Sequence, residues 1–245
     1  MTSQTLIGNA ALVTGAARRI GREIALELAA AGSDITLTYR SSKAEAEETL
    51  QLIQQLGRRA ATVECDVRSE PSVRSAIAAS IDLHGHLDVL VNNAAIYESA
   101  SLDQLSLEQW DAVFETNARG PFLVAREALP HLRASRGRII NIGSLGGLRA
   151  WPGHAHYCAS KAALHMLTEA MAKSFAPEVA VNCVAPGWIE FDEDKGQSAT
   201  LRFAAKTPMQ RNGTAKDVAE AVVFFASTSN FITGQVLVVD GGLGL

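Results

Sequence analysis

The sequence has few of the features that mark secreted, metal-binding or membrane proteins. Its three cysteines are Cys65, Cys158 and Cys183, and an odd, widely spaced set supplies neither a disulfide framework nor zinc-type ligand pairs. No apolar run is long enough for a transmembrane helix. The first nine residues lack the basic start and apolar core of a signal peptide. We therefore expect reduced thiols, no metal site and a cytoplasmic protein.

An excess of charge of one sign is also missing. The chain has 22 basic and 26 acidic residues and a formal net charge of −4, which gives no electrostatic reason to expect a nucleic-acid or membrane partner. Repeats, low-complexity tracts and linkers rich in proline and serine are absent as well. With 245 residues, 47% hydrophobic and 20% charged, the chain is long enough to bury a large core. We expect one domain over residues 1–245.

Short apolar runs alternate with longer helix-like stretches along the whole chain. The runs predict strands at 10–14, 35–39, 60–65, 89–91, 138–142, 179–184 and 236–239. The stretches between them predict helices at 18–31, 43–56, 71–83, 156–175 and 215–227, with two more within 107–132. This alternation is typical of an α/β fold, a doubly wound Rossmann-like sheet of seven mostly parallel strands with helices on both faces. Ligands bind such sheets at the carboxyl ends of the strands, and we expect a small substrate-loop region at about 187–210.

A turn of small residues follows the first predicted strand and precedes a helix. It begins at Thr14 and Gly15, continues through Arg18, Arg19 and Ile20, and closes at Gly21. Such a turn lets backbone N–H groups approach a pyrophosphate at a helix N-terminus, which favours negative charge. The spacing differs from the common G-x-G-x-x-G pattern. Taken alone, the turn therefore also fits a purely structural strand–turn–helix.

The end of the second predicted strand lacks the acidic residue that NAD sites use to hold the ribose hydroxyls. Tyr39 is followed by Arg40 and Ser41. Arg40, together with Arg18 or Arg19, can surround a 2′-phosphate, and the hydroxyl of Ser41 can donate to it. The missing acid also argues against a methyltransferase on the same type of sheet. These residues predict NADP as the cofactor, with NADPH preferred over NADH.

Tyr157 and Lys161 lie four residues apart in a helical stretch and therefore share one face of the helix. A free tyrosine has a pKa of about 10 and is a poor acid–base catalyst near neutral pH. A nearby ammonium lowers that pKa because it stabilises the phenolate. Ser144 follows the fifth predicted strand, so its hydroxyl can hold a substrate oxygen beside the phenol. The three residues together predict proton transfer coupled to a nucleotide site.

The order of these motifs resembles that of the short-chain dehydrogenase/reductases over nearly the whole chain. The matching motifs are Thr14-Gly15…Gly21, Asp66, Asn92-Asn93-Ala94-Ala95, Asn117, Ser144, Tyr157-x-x-x-Lys161, Pro186-Gly187 and Ile232-Thr233-Gly234…Val239-Asp240-Gly241-Gly242. The resemblance implies that Tyr157 is the acid/base and that Lys161 lowers its pKa and holds the nicotinamide ribose. It also implies that Ser144 orients the carbonyl or hydroxyl of a small-molecule substrate. Asn117 would hold a water in a proton relay to Lys161.

The same resemblance assigns further cofactor contacts and an assembly. Asp66 and Val67 would meet the adenine, and Asn93 would support the cofactor bed with Ala94 and Ala95. The nicotinamide side would be lined by Pro186, Gly187 and Ile189. Family members commonly form homotetramers with two-fold axes, and the apolar segments 236–239 and 243–245, which a monomer would partly expose, agree with that assembly.

Three positions depart from the family pattern. Arg19 gives the loop the form T-G-x-x-x-R-x-G, which resembles the pteridine reductases, yet those enzymes commonly have aspartate where this chain has Ser144. Ala95 replaces a usual glycine, and Phe191 stands where a threonine often contacts the nicotinamide amide. A ketone, a 3-oxoacyl thioester, a sugar, a steroid-like alcohol and a pteridine all stay open as substrates. A non-catalytic NADP-sensing protein is the alternative of a different class.

The histidines and loop aromatics complete the set of candidate residues. His154 and His156 precede Tyr157 and are interpreted as pocket-edge or surface residues, because no metal-binding partner has suitable spacing. His84 and His86 flank a glycine and are expected to be solvated. An apolar substrate wall is predicted from the loop residues Tyr97, Leu145, Trp151, Trp188 and Phe191.

Overall fold

The computed structural model describes residues 5–194 and 198–245. The strands are β1 Ala10–Val13, β2 Asp34–Tyr39, β3 Ala60–Glu64, β4 Val89–Asn92, β5 Arg138–Ile142, β6 Ala180–Pro186 and β7 Val236–Val239. The α-helices are α1 Arg19–Ala30, α2 Lys43–Gln55, α3 Glu70–His84, α4 Leu107–Phe114, α5 Gly120–Ser135, α6 Ala155–Phe175, α7 Ser198–Lys206 and α8 Ala215–Ser227.

The seven strands form one sheet in the order β3-β2-β1-β4-β5-β6-β7, and every neighbouring pair is parallel. The order reverses beside β1, where the chain switches from one half of the sheet to the other. In such sheets this switch point opens a crevice at the carboxyl ends of the strands. The predicted doubly wound architecture is confirmed.

The central strands β1 and β4 are buried at every residue because helices cover both faces of the sheet. Alternate residues of one strand enter different cores. Val13 of β1 packs in the core that contains Leu28 of α1 and Val222 of α8. Leu12 packs on the opposite face, in the core that contains Ile77 of α3. All these side chains are at most 2% exposed.

The structure differs from the sequence prediction between α4 and α5 and after β6. Residues Glu115–Arg119 form a single π-helical turn that joins α4 to α5. Helix α7 lies inside the segment that we expected to be a substrate loop. The ring of Phe203 on α7 stacks on Trp188, with centroids 4.2 Å apart. Tertiary packing on Trp188 therefore supports a short helix that the local pattern did not indicate.

The expectations that His84 is solvated and that His156 is a pocket-edge or surface residue are both wrong, since His156 is fully buried and does not line the cleft. His84 is the last residue of α3 and is 6% exposed. Its Nε2 lies 3.1 Å from Oγ1 of Thr36 on β2, and burial lowers the pKa of its imidazole. His86, two residues further on, has a 43% exposed side chain as expected.

Cys65, Cys158 and Cys183 are free and buried. Within residues 5–194 and 198–245, no helix has the length and apolar character needed to span a bilayer. In the same residues, no group of three or more His, Cys, Asp or Glu side chains could hold a metal ion.

Candidate active site

The turn between β1 and α1 allows two pieces of backbone to approach closely. Gly15 has φ +63°, and a Cβ there would lie 2.9 Å from the Cα of Ala94. A Cβ on Gly21 would lie 2.4 Å from Nδ2 of Asn93. That amide donates to the carbonyl oxygens of Thr14 at 2.9 Å and Gly15 at 3.0 Å. Gly15 is therefore required for its backbone conformation, and Gly21 is required because there is no space for a side chain.

A cleft of about 590 Å³ opens at the carboxyl ends of the strands beside this turn. That volume is within the range of ligand pockets. All the predicted cofactor residues line it, namely Gly15, Arg18, Arg19, Ile20, Gly21, Tyr39, Arg40, Ser41, Asp66, Val67, Asn93, Ala94, Ala95, Tyr157, Lys161, Pro186, Gly187 and Ile189. Ser144 also lines the cleft, so the fold brings the predicted acid, its lysine and the serine to the glycine turn.

The basic residues at the cleft differ in what they contact. Arg40 and Arg18 line the cleft and form no ion pair with the residues that the structure describes. Arg19 has φ +53°, and its Nη2 and Nε lie 2.8 and 3.0 Å from Oε1 of Glu193. Its guanidinium also lies 4.9 Å from the ring centroid of Phe191. Arg40 is thus better placed than Arg19 to meet an additional phosphate.

Asp66 lies at the adenine end of the predicted cofactor site but is already paired. Its carboxylate accepts hydrogen bonds from Nε and Nη2 of Arg68, the latter at 2.6 Å. This hydrogen bonding holds the pKa of Asp66 below its usual value, although partial burial opposes it. The pair fixes the loop after β3, so that Val67 lines the cleft.

Tyr157 and Lys161 lie on the first turns of α6 and face the cleft. The Tyr157 ring is partly accessible, yet the surrounding protein removes enough water to raise the pKa of its phenol to about 12, and a hydrogen bond with Ser144 opposes that rise. Lys161 Nζ lies 5.8 Å from the ring centroid. Burial lowers the pKa of Lys161 to about 8. Desolvation thus favours the neutral form of each group. The expectation that Lys161 lowers the pKa of Tyr157 is wrong for this structure, where burial outweighs it.

Ser144 follows β5 on a tight turn that directs its hydroxyl. Its Oγ accepts a hydrogen bond from the backbone N–H of Gly146 at 3.0 Å. The hydroxyl proton stays available for the oxygen of Tyr157 or of a bound carbonyl. The serine is 4% exposed, so its hydroxyl acts where competition from water is weak.

Asn117 does not line the cleft. It lies in the π-helical turn and is fully buried. Its Nδ2 donates to the carbonyl oxygen of Ile96 at 2.9 Å and to Oγ of Ser160 at 3.1 Å, and its Oδ1 accepts from the N–H of Ile96 at 2.8 Å. Asn117 therefore braces the loop after β4 against α6. A water relay through it stays a prediction.

Tyr97 and His154 form an aromatic pair beside the Tyr157 phenol, a contact that the sequence analysis did not predict. The Tyr97 ring stacks on His154 at 4.7 Å between centroids, and meets the edge of Tyr157 at 4.9 Å and 83°. His154 Nδ1 lies 2.8 Å from the carbonyl oxygen of Glu98 and must donate to it. In the neutral imidazole, Nε2 then accepts from the Tyr97 hydroxyl, 3.1 Å away. The sequence assigns Tyr97 to the substrate wall and His154 to the pocket edge or surface, but a long-range pairing of the two leaves no periodic signal.

Comparisons with known proteins agree with the fold and these motifs. Residues 15–244 match a family model described as enoyl-(acyl carrier protein) reductase. A 3-oxoacyl-(acyl-carrier-protein) reductase FabG of Staphylococcus aureus (strain Mu50) is 38% identical over 238 residues, which cover 95% of this chain and 97% of the relative.

Solved structures give the same result. A short-chain dehydrogenase from Burkholderia cenocepacia J2315, in complex with NADP, is 36% identical with a TM-score of 0.93, covering 98% of this chain and all of that one. A dehydrogenase/reductase from Sinorhizobium meliloti 1021 is 37% identical with a TM-score of 0.93, covering 100% of this chain and 98% of that chain. The chain therefore belongs to the short-chain dehydrogenase/reductase family and is an oxidoreductase, as its motifs suggested.

Proposed function

We propose that this enzyme interconverts a carbonyl compound and an alcohol with NADP(H), and that Tyr157 is the acid/base. The observation that carries the proposal is the placement of one phenol, one buried ammonium and one directed hydroxyl in the same cleft as the glycine turn. A protein that only senses NADP has no need of Tyr157, Lys161 and Ser144 in this arrangement.

The cleft fits a dinucleotide in shape and in chemistry. The close approach at Gly15 and Gly21 leaves the amino end of α1 open to a pyrophosphate. Val67 would meet the adenine, Lys161 the nicotinamide ribose, and Gly187 the nicotinamide face. When bound, NADPH supplies the hydride that reduces the carbonyl carbon.

Residues of the chain itself carry out the proton transfer. In reduction, Tyr157 gives its hydroxyl proton to the carbonyl oxygen, and the phenolate that forms is stabilised by the Lys161 ammonium and the Ser144 hydroxyl. In oxidation the phenolate takes the proton of the alcohol. The Ser144 hydroxyl also orients the substrate oxygen, because its Oγ is already fixed by Gly146.

The preference for NADPH over NADH is part of the proposal. Arg40 at the end of β2 is exposed and forms no ion pair within the described residues, and the strand ends without an acid. A charge-assisted contact to a 2′-phosphate is worth roughly 1.5–3 kcal/mol, or about ten- to a hundredfold in affinity. One solved relative was crystallised with NADP.

Among substrates, the curated relatives favour a 3-oxoacyl thioester as the first compound to test. The apolar side chains of Trp151, Trp188 and Phe191 line the cleft and suit an acyl or aryl substituent. Leu145, also predicted for this wall, is buried and does not line the cleft. The Arg19 loop resembles that of pteridine reductases, but Ser144 in place of aspartate leads us to propose that a pteridine is not the preferred substrate.

The test is the disappearance of NADPH absorbance with a panel of carbonyl compounds. The panel contains a 3-oxoacyl thioester, simple and aryl ketones, a sugar, a steroid ketone and dihydrobiopterin. The reverse reaction, oxidation by NADP⁺, is measured with the corresponding alcohols. We expect turnover with at least one carbonyl and faster reaction with NADPH than with NADH. No turnover of any compound, together with tight NADPH binding, would favour the sensing protein. Dihydrobiopterin as clearly the best substrate would overturn the exclusion of pteridines.

We further propose a homotetramer. Strand β7 is at the edge of the sheet, and its Leu237 and Val238 are 38% and 36% exposed. Leu245 and Phe231 add apolar surface that is almost fully exposed. Burial of this surface against a second copy would remove it from water. Light scattering during gel filtration measures the mass, and a monomer at micromolar concentration contradicts the proposal.

A further inference from the structure

A histidine that none of the family motifs includes lies behind the catalytic serine. His165 is on α6, one helical turn beyond Lys161, and is 5% exposed. The backbone N–H of Ser144 points at Nε2 of His165, 3.4 Å away. With Nε2 accepting this long hydrogen bond, the imidazole is neutral and carries its proton on Nδ1, which is buried and has no hydrogen-bond partner among the described residues.

The turn that carries Ser144 is shaped to this imidazole. A Cβ on Gly143 would lie 2.3 Å from Nε2 of His165, and a Cβ on Gly147 would lie 2.6 Å from its Cε1. Neither glycine has a positive φ. Both are therefore required for space, because the backbone on each side of Ser144 closes directly onto the ring.

The titratable groups around His165 keep it uncharged. Lys161 lies on α6 together with His165. Cys183 of β6 approaches Gly143 as well, since a Cβ on Gly143 would lie 2.7 Å from its Sγ. Burial, with the Lys161 ammonium, lowers the pKa of His165 to about 4. Burial also raises the pKa of the Cys183 thiol to about 12. Of these three groups, Lys161 alone is charged at pH 7.

We propose that His165 is a positioning residue, whose neutral ring holds the Ser144 turn so that the serine hydroxyl points at the oxygen of Tyr157. Two contacts fix Ser144, since its N–H donates to Nε2 of His165 and its Oγ accepts from the N–H of Gly146. The hydroxyl proton is thereby left for Tyr157. The kinetic part of this inference rests on the proposed reductase function, and the structural part does not.

The kinetic test compares two substitutions of His165. His165→Leu removes the acceptor and His165→Gln retains one. In His165→Leu we expect kcat to fall about tenfold with unchanged NADPH affinity. The pH of half-maximal kcat/KM in alcohol oxidation should rise by about one unit, because a hydrogen bond to the phenolate is lost. His165→Gln should recover most of both effects.

The matched control is His84→Leu, which removes another buried histidine, one that contacts Thr36 of β2 and does not line the cleft. It should lower stability and leave the pH profile unmoved. Normal kcat and an unshifted profile in His165→Leu, or the same shift in His84→Leu, would overturn the proposal.

A second measurement needs no substrate. Long-range ¹H–¹⁵N correlation spectra distinguish the tautomers of the six histidines, with His165 assigned by its absence in His165→Gln. We expect a neutral ring protonated on Nδ1 at pH 7, and a Ser144 amide resonance that moves in His165→Leu but not in His84→Leu. A charged His165, or one protonated on Nε2, contradicts the inference even if the enzyme proves active. Failure of every carbonyl in the panel contradicts only the proposed function.

Discussion

Lys161 donates a hydrogen bond from Nζ to the carbonyl oxygen of Ile142 at 2.7 Å. Ile142 is the last residue of β5, two positions before Ser144. The buried lysine therefore ties α6 to the end of the strand that carries the serine, in addition to facing the Tyr157 ring. One side chain thus sets the distance between the two elements that supply the proposed catalytic groups.

Replacement of Tyr157 by phenylalanine should abolish most turnover and preserve binding. The change removes the hydroxyl but keeps the ring and its edge contact with Tyr97. Turnover should fall by roughly the hundred- to ten-thousandfold typical of a lost general acid, with NADPH affinity near that of the wild type. Steady-state rates on the best panel substrate, alongside a fluorescence titration with NADPH, measure both. Near-normal turnover would mean that Tyr157 is not the acid.

Replacement of Lys161 by alanine should affect both turnover and cofactor affinity. The ammonium that stabilises the phenolate is removed, and so is the proposed contact with the nicotinamide ribose. We expect lower kcat and weaker NADPH binding than in Tyr157→Phe. Lys173→Ala removes an exposed lysine from the same helix and is the control. A Lys161→Ala variant with unchanged NADPH affinity would remove the ribose contact from the proposal.

Replacement of Arg40 by alanine should change the cofactor preference. NADPH affinity should fall about ten- to a hundredfold, because a charge-assisted contact is lost, while NADH affinity stays the same. Fluorescence titration with each nucleotide gives the two dissociation constants. The control is Arg74→Ala on the outer surface of α3, where the arginine pairs with Glu70. Equal loss of both affinities in Arg40→Ala would indicate a general effect on the cleft.

The residues that sequence analysis placed correctly owe their positions to regular backbone geometry. A spacing of four along one helix puts Tyr157 and Lys161 on one face. The carboxyl ends of parallel strands lie along one edge of the sheet, which brings Ser144 and Arg40 to the glycine turn. These relationships follow from helix and sheet geometry alone, and therefore could be derived before any tertiary contact was known.

The features that were missed depend on contacts between distant segments. Arg19 meets Glu193 across 174 positions of sequence, and His84 becomes buried because β2 presents Thr36 to it. The sequence gives no signal of a role for His165, because a histidine on a helix is usually an ordinary core or surface residue. Its importance appears once the two glycines beside Ser144 are seen to close on its ring.

Stability at acid pH should depend on the cap of α8. Asp217 accepts from Arg211 at 2.7 and 2.8 Å and from the backbone N–H of Thr214 at 2.7 Å. The hydrogen bonds from Arg211, more than any other contact, hold the pKa of Asp217 well below its usual 3.8. Its stabilisation is therefore fully present above about pH 4 and is lost as the pH falls through the lowered value.

Asp217→Ala should lower the free energy of unfolding by about 0.5–2 kcal/mol, the usual cost of a lost helix cap. It should also reduce the acid sensitivity of unfolding below pH 4, because one carboxylate with a lowered pKa is gone. Urea denaturation at pH 7 and at pH 3 measures both effects. Asp111→Ala, a change on the surface of α4 away from any cap, serves as the comparison. An Asp217→Ala variant as stable as the wild type at pH 7 would contradict the stabilising role of this cap.

Tyr97 should determine which substituents the carbonyl substrate carries. Its ring lies edge-on to Tyr157, and its hydroxyl donates to His154. A flat or apolar substituent beside the reacting carbonyl would therefore lie against this ring. Tyr97→Ala removes that surface, and we expect KM to rise about tenfold for aryl and long-chain substrates, as loss of one aromatic contact and its burial would cause. Small ketones should be affected much less.

Tyr97→Phe separates the ring from its hydroxyl. The ring and its edge contact remain, while the hydrogen bond that locks Tyr97 to His154 is lost. If the wall works through its shape, Tyr97→Phe keeps the wild-type ratio of kcat/KM between aryl and small ketones, and Tyr97→Ala alone reduces it. If the hydroxyl itself binds the substrate, both variants reduce the ratio equally. His154 is rigidly held through Nδ1 by the carbonyl of Glu98, so the first result is expected, and equal losses in both variants would contradict it.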